Sequence, residues 1–184
     1  MSLFENFNLT ELSFRKPPTN NSLTTFKELK ELKNLKSDPS FVKNKDEVVE
    51  NFQLITEKGN EMFPSEEITN LLNESAEVII SLKNHFNRPR PNQLAKVLGV
   101  DMEIVDLKSA KTPSYPSGHS AQAKLLANVL SDKYPKLRYE YQREADDISD
   151  SRNIGGLHFK TDSDFGKELG ERMYEHLKDN RYGL

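Results

Sequence analysis

The sequence predicts an all-α protein, a single-domain helical bundle, and three observations lead to this fold class. Apolar residues recur every three or four positions along several segments, which is the spacing of one buried helix face. No segment shows the alternation of β-branched and polar residues that is typical of a strand. The 184 residues suffice for one domain with its own core. We expect residues 1–22 to form an irregular arm and residues 23–184 the helical domain.

The individual helices follow from their apolar positions and their end signals. The clearest one covers residues 65–86, where apolar side chains from Ile68 to Phe86 share one face and Pro89 prevents continuation. Residues 101–115 are expected to form a loop. The other predicted helices cover residues 24–36, 46–58, 92–98, 117–132 and 134–150, and a last one runs from a cap at Thr161 or Asp162 to about residue 178.

Composition and charge exclude several classes of protein. No run approaches the roughly 18 consecutive apolar residues of a membrane span. The N-terminus carries Glu5 and Glu11 where a signal peptide has basic and apolar segments. We therefore expect a soluble protein, cytoplasmic because no signal peptide is visible, with a periplasmic location left open. The formal net charge of -3 argues against nucleic-acid binding, and the absence of cysteine removes disulfides, thiolate metal ligands and cysteine nucleophiles.

Three short segments combine residues suited to phosphate chemistry. In the middle segment, Ser117, Gly118 and His119 open a predicted helix, where backbone N–H groups without helical partners favour an anion. Gly118 lets an anion approach its N–H, and His119 beside it could give a proton. Alone, the same pattern also fits an ordinary N-cap followed by a surface histidine.

The third segment places Arg152 before His158 and Asp162 four residues after it. A carboxylate one turn away can accept the N–H of one imidazole nitrogen, which leaves the other nitrogen free to attack. A structural arginine with a capping aspartate is the alternative. The four histidines show no HxxxH or HExxH spacing, so we expect no metal site.

The first segment supplies cations at a predicted helix end. Lys83 and Arg90 bracket the break at Pro89, and Arg88 is a third cation between them. Arginine forks match the oxygens of phosphate, and lysine adds a compact charge. Taken alone, a basic helix end is usually solvated and interacts favourably with the helix dipole.

The order of the three segments resembles the superfamily of type-2 phosphatidic acid phosphatases, bacterial class A acid phosphatases and vanadium-dependent haloperoxidases. Its pattern is Lys, six residues and Arg-Pro; then Pro-Ser-Gly-His; then Ser-Arg, five residues, His, three residues and Asp. Lys83 to Pro91, Pro116 to His119 and Ser151 to Asp162 fit this pattern at every motif position. The motifs cover a little under half of the chain, and the residues before Lys83 match no pattern of the family.

The resemblance implies a helical bundle with a metal-independent phosphatase site at one end. His158 would attack phosphorus and become phosphorylated, and His119 would protonate the leaving group and later activate water. Asp162 would orient His158. No cofactor is expected, and vanadate would bind only as a mimic of phosphate. The expected phosphate-binding groups are the side chains of Lys83, Arg90, Ser117 and Arg152 and the N–H of Gly118.

Several alternatives share these motifs. A vanadate-dependent haloperoxidase uses the same pocket, although such enzymes are usually much larger than this chain. The lipid phosphatases of the superfamily carry several spanning helices, so the chain resembles the soluble acid-phosphatase branch. A phosphotransferase differs only in its acceptor, and a phosphate-binding domain without catalysis also stays open. The expected partner is a phosphate-ester substrate, its identity is open, and a homodimer is compatible with the resemblance.

Overall fold

The computed structural model describes residues 2–180, which form helices and loops and contain no β-strand, so the predicted all-α fold is confirmed. Within this range the helices are α1 (Leu9–Ser13), α2 (Leu23–Asn34), α3 (Pro39–Asn44), α4 (Val48–Lys58), α5 (Ser65–Phe86), α6 (Pro91–Leu98), α7 (Gly118–Lys133), α8 (Arg138–Ile154) and α9 (Lys160–Asp179), with a 3₁₀ turn at Pro135–Leu137. Among residues 2–180, none of the helices combines the length and the apolar composition that a membrane span requires.

Helix α7 is the centre of the bundle. It packs mainly against α8 and α9. Its side chains Leu125, Leu126 and Leu130 are fully buried, as expected for a helix covered on several sides. Helix α5 adds a further wall with one apolar face, in agreement with the predicted bounds 65–86.

The contact between α7 and α9 is unusually close because two glycines of α9 face α7. A β-carbon on Gly166 would lie 2.5 Å from the carbonyl oxygen of Ser117, and one on Gly170 would lie 2.9 Å from Cβ of Lys124. Neither distance leaves room for a side chain, so the two glycines allow the helix backbones to approach. This approach fixes the start of α9 against the start of α7, where the predicted site residues lie.

Two short helices, α1 and α3, are absent from the sequence-based prediction. Each has a side-chain cap, from Asn8 and Asp38 respectively, and each buries one residue, Leu12 or Val42. A single buried position gives no apolar periodicity, so only the caps could have indicated these helices. The predicted irregular arm therefore contains one helical turn, and its boundary at residue 22 stays a prediction.

Several predicted helix bounds also differ from the structure, and the bounds of α8 and α9 differ most. Helix α8 begins at Arg138, because Pro135 and its neighbours form the 3₁₀ turn instead, and it continues past the predicted end at residue 150 to Ile154, where Gly155 is the C-cap. Helix α9 begins after Phe159 and not at a Thr161 or Asp162 cap. Asp162 lies in its first turn, where the carboxylate accepts the N–H of Phe159 at 2.9 Å. Asp162 thus has a capping role, directed backwards onto the N-cap residue.

Candidate active site

A cavity of about 160 Å³ opens where the end of α5, the start of α7, the end of α8 and the start of α9 meet. Six of the eight predicted site residues line it, and the other two, Ser117 and Asp162, are fully buried behind it. The six are Lys83, Arg90, Gly118, His119, Arg152 and His158. Residues that are up to 75 positions apart in the sequence therefore face one space, as the three motifs predict.

Lys83 reaches the site from the last turn of α5. Its Nζ donates to the carbonyl oxygen of Pro113 at 2.6 Å, and only 3% of the residue is exposed. Burial and the neighbouring charge of Arg90 lower the pKa of Lys83 to about 7. The charge of this cation is therefore sensitive to pH near neutrality.

Arg90 contacts the nucleophile candidate directly. Its Nε donates to the Thr112 carbonyl at 2.9 Å, and one terminal nitrogen lies 3.0 Å from the Leu157 carbonyl and 3.1 Å from Nε2 of His158. Burial lowers the pKa of Arg90 to about 10, so it is still charged at neutral pH. Because a guanidinium can only donate, Nε2 of His158 accepts this hydrogen bond and carries its lone pair there.

The imidazole of His158 is held neutral by its surroundings. Burial, and then the charges of Arg90 and Lys83, lower the pKa of His158 to about 3, against the opposing hydrogen bond to Asp162. With Nε2 accepting, the ring proton lies on Nδ1, which is 3.4 Å from Oδ2 of Asp162. This tautomer is the one that attack through Nε2 requires.

Asp162 is held by three donors besides the histidine. Arg88 donates to Oδ1 at 2.6 Å, and the N–H of Phe159 and the hydroxyl of Ser114 donate to Oδ2. Burial opposes ionisation, but the hydrogen bond from His158 and the charge of Arg88 outweigh it and keep the pKa of Asp162 below its ordinary value. The carboxylate therefore stays charged behind the ring of His158.

The start of α7 forms another wall of the cavity. Ser117 caps the helix by accepting the N–H of Ser120 at 3.3 Å, and its own N–H donates to the backbone carbonyl of Asp162 at 2.9 Å. Gly118 lines the cavity, and a β-carbon there would lie 3.8 Å from Cε of Lys83. The N–H of a residue at this helix position has no helical partner and is available to an anion.

Arg152 and His119 are joined by a carboxylate that the sequence analysis did not identify. Oδ1 of Asp46 accepts from Arg152 at 2.7 Å and lies 3.1 Å from Nε2 of His119. Ser109 donates to the same oxygen at 2.8 Å. The hydrogen bond with His119, opposed by burial and supported by Ser109 and Arg152, holds the pKa of Asp46 well below its usual range.

Sequence reasoning therefore missed Asp46 and Ser114 and gave Arg88 no role. Ser114 stands just before the Pro-Ser-Gly-His motif, and Arg88 stands inside the Lys-to-Arg-Pro segment, so position alone was a weak signal for both. Asp46 lies 37 residues before Lys83, in a part of the chain that matches no motif. Only the folded arrangement brings its carboxylate to the site.

No family model matches this chain. The chain is 40% identical over 68 residues to the non-specific acid phosphatases of Salmonella typhimurium and Salmonella typhi, and each match covers 37% of this chain and 27% of the relative. It is 31% identical over 114 residues to the non-specific acid phosphatase of Providencia stuartii, which covers 61% of this chain and 46% of the relative. The matches thus span less than half of each relative. They confirm the resemblance of this chain to the bacterial non-specific acid phosphatases.

Proposed function

We propose that this protein hydrolyses phosphate monoesters through a phosphohistidine intermediate on His158, without a metal ion. The observation that carries the proposal is the position of Nε2 of His158. This atom accepts from Arg90 beside a cavity that Lys83 and Arg152 also line, while Nδ1 lies next to Asp162. A neutral nucleophile, an orienting carboxylate and a cationic cradle are the elements that phosphoryl transfer needs.

In the first step, Nε2 of His158 attacks the phosphorus of the ester. A P–N bond forms as the ester P–O bond breaks, and the leaving oxygen takes a proton from His119, which lines the same cavity. The ring of His158 gains positive charge in this step, since its lone pair now binds phosphorus and its proton stays on Nδ1. Asp162, whose pKa is lowered and which lies 3.4 Å from Nδ1, stabilises that charge in the proposed mechanism.

In the second step, water replaces the histidine. His119, neutral after the first step, takes a proton from the water as its oxygen attacks phosphorus. The P–N bond breaks, its electron pair returns to Nε2, and inorganic phosphate leaves. His119 is protonated again, so the site returns to its starting state.

The proposal that no metal ion is needed rests on the cations of the chain. Lys83, Arg90 and Arg152 bring up to three positive charges to one small cavity. The Gly118 N–H adds an uncharged donor at the start of α7. Together these groups neutralise the charge on the equatorial oxygens of the transferring phosphoryl group, a task that divalent ions perform in other enzymes.

The test is hydrolysis of p-nitrophenyl phosphate with excess chelator, with and without orthovanadate, alongside His158→Ala. We expect turnover that survives the chelator, is blocked by vanadate and is lost in the variant. His85→Ala is the matched control, because His85 is exposed and lies outside the cavity. Rapid quenching should trap a phosphoprotein in the wild type and none in His158→Ala.

Other outcomes point to other functions. Loss of turnover in chelator, restored by a divalent ion, would contradict metal independence. No turnover at any pH, together with bromide oxidation by peroxide in the vanadate-loaded protein, would identify a haloperoxidase. Phosphate binding with neither reaction would leave a binding domain.

A further inference from the structure

Arg88 is a fully buried cation that does not line the catalytic cavity. The exposed fraction of its side chain is 0%, and its guanidinium lies 3.9 Å from the centre of the Phe159 ring. Among the buried side-chain donors and acceptors of residues 2–180, its Nε is alone in having no hydrogen-bond partner. A buried arginine that leaves a donor unsatisfied is costly, so its head group must be held there by strong contacts.

Two carboxylates supply these contacts. One terminal nitrogen of Arg88 donates to Oδ1 of Asp162 at 2.6 Å, and the other lies 3.2 Å from Oε2 of Glu28. Glu28, on α2, also accepts the N–H of Thr161 at 2.8 Å. Glu28 therefore connects α2 to the first turn of α9, at Thr161, the residue before Asp162.

The two carboxylate oxygens of Asp162 have different hydrogen-bond partners. Oδ1 is taken by Arg88, which leaves Oδ2 for the N–H of Phe159, the hydroxyl of Ser114 and Nδ1 of His158. If Arg88 were absent, the carboxylate could rotate and its buried charge would lose its ion-pair partner. The orientation of the catalytic imidazole therefore depends on a residue that does not touch it.

We propose that Arg88 and Glu28 are positioning residues for the nucleophile, acting through the buried series Glu28–Arg88–Asp162–His158. Arg88 fixes which oxygen of Asp162 faces Nδ1, and this oxygen acts together with Arg90, which donates to Nε2, to keep the ring proton on Nδ1. Glu28 fixes the direction of the guanidinium fork. The inference deepens the proposed function and rests on it for its kinetic consequences, but its structural consequence, the tautomer of His158, can be measured without turnover.

The charge balance explains why one arginine meets two carboxylates. Arg88 neutralises one of the two negative charges, so the series keeps a net negative charge behind His158. The imidazole becomes positive only when phosphorus is bound to Nε2. Interactions that are stronger in this state than in the free enzyme raise turnover more than they raise substrate affinity.

The experiment compares wild type, Arg88→Lys and Glu28→Gln, with Tyr141→Phe as the control. Tyr141 is buried and its hydroxyl bonds to Thr56, away from the cavity, so this variant loses a buried hydrogen bond but not the series. The first readout is kcat and KM for p-nitrophenyl phosphate. The second is the tautomer of His158 from its ring ¹⁵N chemical shifts, assigned by comparison with His158→Gln.

We expect Arg88→Lys to lower kcat on the order of 10- to 100-fold, with KM changed far less, since lysine keeps the charge but cannot bridge both carboxylates. Glu28→Gln should lower kcat by a smaller factor, and both variants should lose part of the Nδ1–H tautomer. Tyr141→Phe should keep the wild-type tautomer and kcat.

Two results would overturn the proposal. One is a wild-type tautomer and kcat in Arg88→Lys. The other is an equal loss of kcat in Arg88→Lys and in the control Tyr141→Phe. If the wild type itself shows no turnover, the proposed function fails, whereas the ¹⁵N shifts still decide whether Arg88 and Glu28 set the tautomer.

Discussion

At the scale of single residues, the charge of Lys83 gives the site a pH dependence that can be measured by anion binding. Its pKa is lowered from 10.5 to about 7 by burial and by Arg90. A bound anion stabilises the charged form of Lys83, so the pKa of Lys83 is higher in the anion complex than in the free protein. Between these two pKa values, the affinity for the anion should fall by up to about tenfold per pH unit. Sulfate is the suitable probe, because its own charge is constant from pH 5 to 9.

The expected outcome for wild type is sulfate affinity that is steady below pH 7 and declines above it. In Lys83→Arg the decline should disappear, because a guanidinium keeps its charge. In Lys83→Met the affinity should be weak throughout, without this decline. Isothermal titration calorimetry from pH 5 to 9 measures all three, and a decline in Lys83→Arg as steep as in wild type would assign the titration to another group.

Asp46 is the residue through which the proposed general acid, His119, can be tested. Its carboxylate contacts both His119 and Arg152, and its low pKa keeps it ionised at acidic pH. In Asp46→Asn the protonated form of His119 loses its ion-pair partner. A poor leaving group needs that proton, whereas p-nitrophenolate leaves with little help. We therefore expect kcat to fall about 10- to 100-fold for an alkyl phosphate and much less for p-nitrophenyl phosphate.

Glu47→Gln is the matched control for this prediction. Glu47 is the next residue, is exposed and makes no side-chain cap hydrogen bond to α4. Its variant should resemble wild type with both substrates. Equal losses for the two leaving groups in Asp46→Asn would show that Asp46 acts on phosphate binding through Arg152 and not on proton transfer.

At the scale of the helices, substitutions at the two glycines of α9 distinguish an effect on stability from an effect on the alignment of the site residues. Ala at position 166 would meet the Ser117 carbonyl and Cβ of Ser120, and Ala at position 170 would meet α7 one turn further on. Each substitution should cost about 1–3 kcal/mol by overpacking, offset in part by roughly 1 kcal/mol of helix propensity. Only Gly166→Ala pushes directly on Ser117, so only this variant should also lose a large part of kcat.

Urea unfolding and kinetics on the two variants check this prediction. The stabilities should be lowered by similar amounts, while kcat at a temperature where both are folded should differ. If Gly170→Ala lost as much kcat as Gly166→Ala, the register between α7 and α9 would matter as a whole, and the local contact at Ser117 would have no special role.

The helices also show which parts of the fold the sequence could predict. Helix α5 has seven buried positions on one face, and its bounds were predicted to the residue. Helices α1 and α3 bury one residue each and were missed, because a pattern needs several turns before it exceeds chance. The close approach of α7 and α9 requires two glycines four residues apart, and these glycines are visible in the sequence. Helix periodicity alone does not show that they mark a close helix contact.

At the scale of the whole molecule, the site combines a predictable part with an unpredictable one. The eight predicted site residues were identified because three short motifs, each at a helix end, resemble the pattern of a known superfamily. The carboxylate of Asp46 accepts a hydrogen bond from Arg152, which is 106 residues later in the sequence. The carboxylate of Glu28 accepts one from Thr161, which is 133 residues later. Contacts of that separation depend on how helices pack, and a single sequence contains no spacing rule for them.

The stability of the whole molecule in acid should depend on His158, the proposed nucleophile. The pKa of His158 is 6.5 in the unfolded chain and about 3 in the fold, chiefly because of burial. Between these values the unfolded state binds a proton that the folded state does not, so folding is weakened as pH falls. From this residue alone, the free energy of unfolding should fall by up to about 1.4 kcal/mol per pH unit below pH 6.5.

His158→Gln removes the titrating group, so its free energy of unfolding should decline less steeply than that of wild type between pH 6.5 and 4. Asp46 and Asp162 contribute below this window, since their pKa values are lowered from 3.8. Leu130→Ala is the control: its fully buried side chain does not titrate and lies at the end of α7 away from the cavity, so stability should drop at every pH with the wild-type slope. Urea unfolding at half-unit pH intervals gives these slopes. Equal pH slopes of the free energy of unfolding in wild type and His158→Gln would mean that His158 is protonated in the folded protein at mildly acidic pH. A protonated imidazole has no free lone pair, so His158 could not act as the proposed nucleophile at that pH.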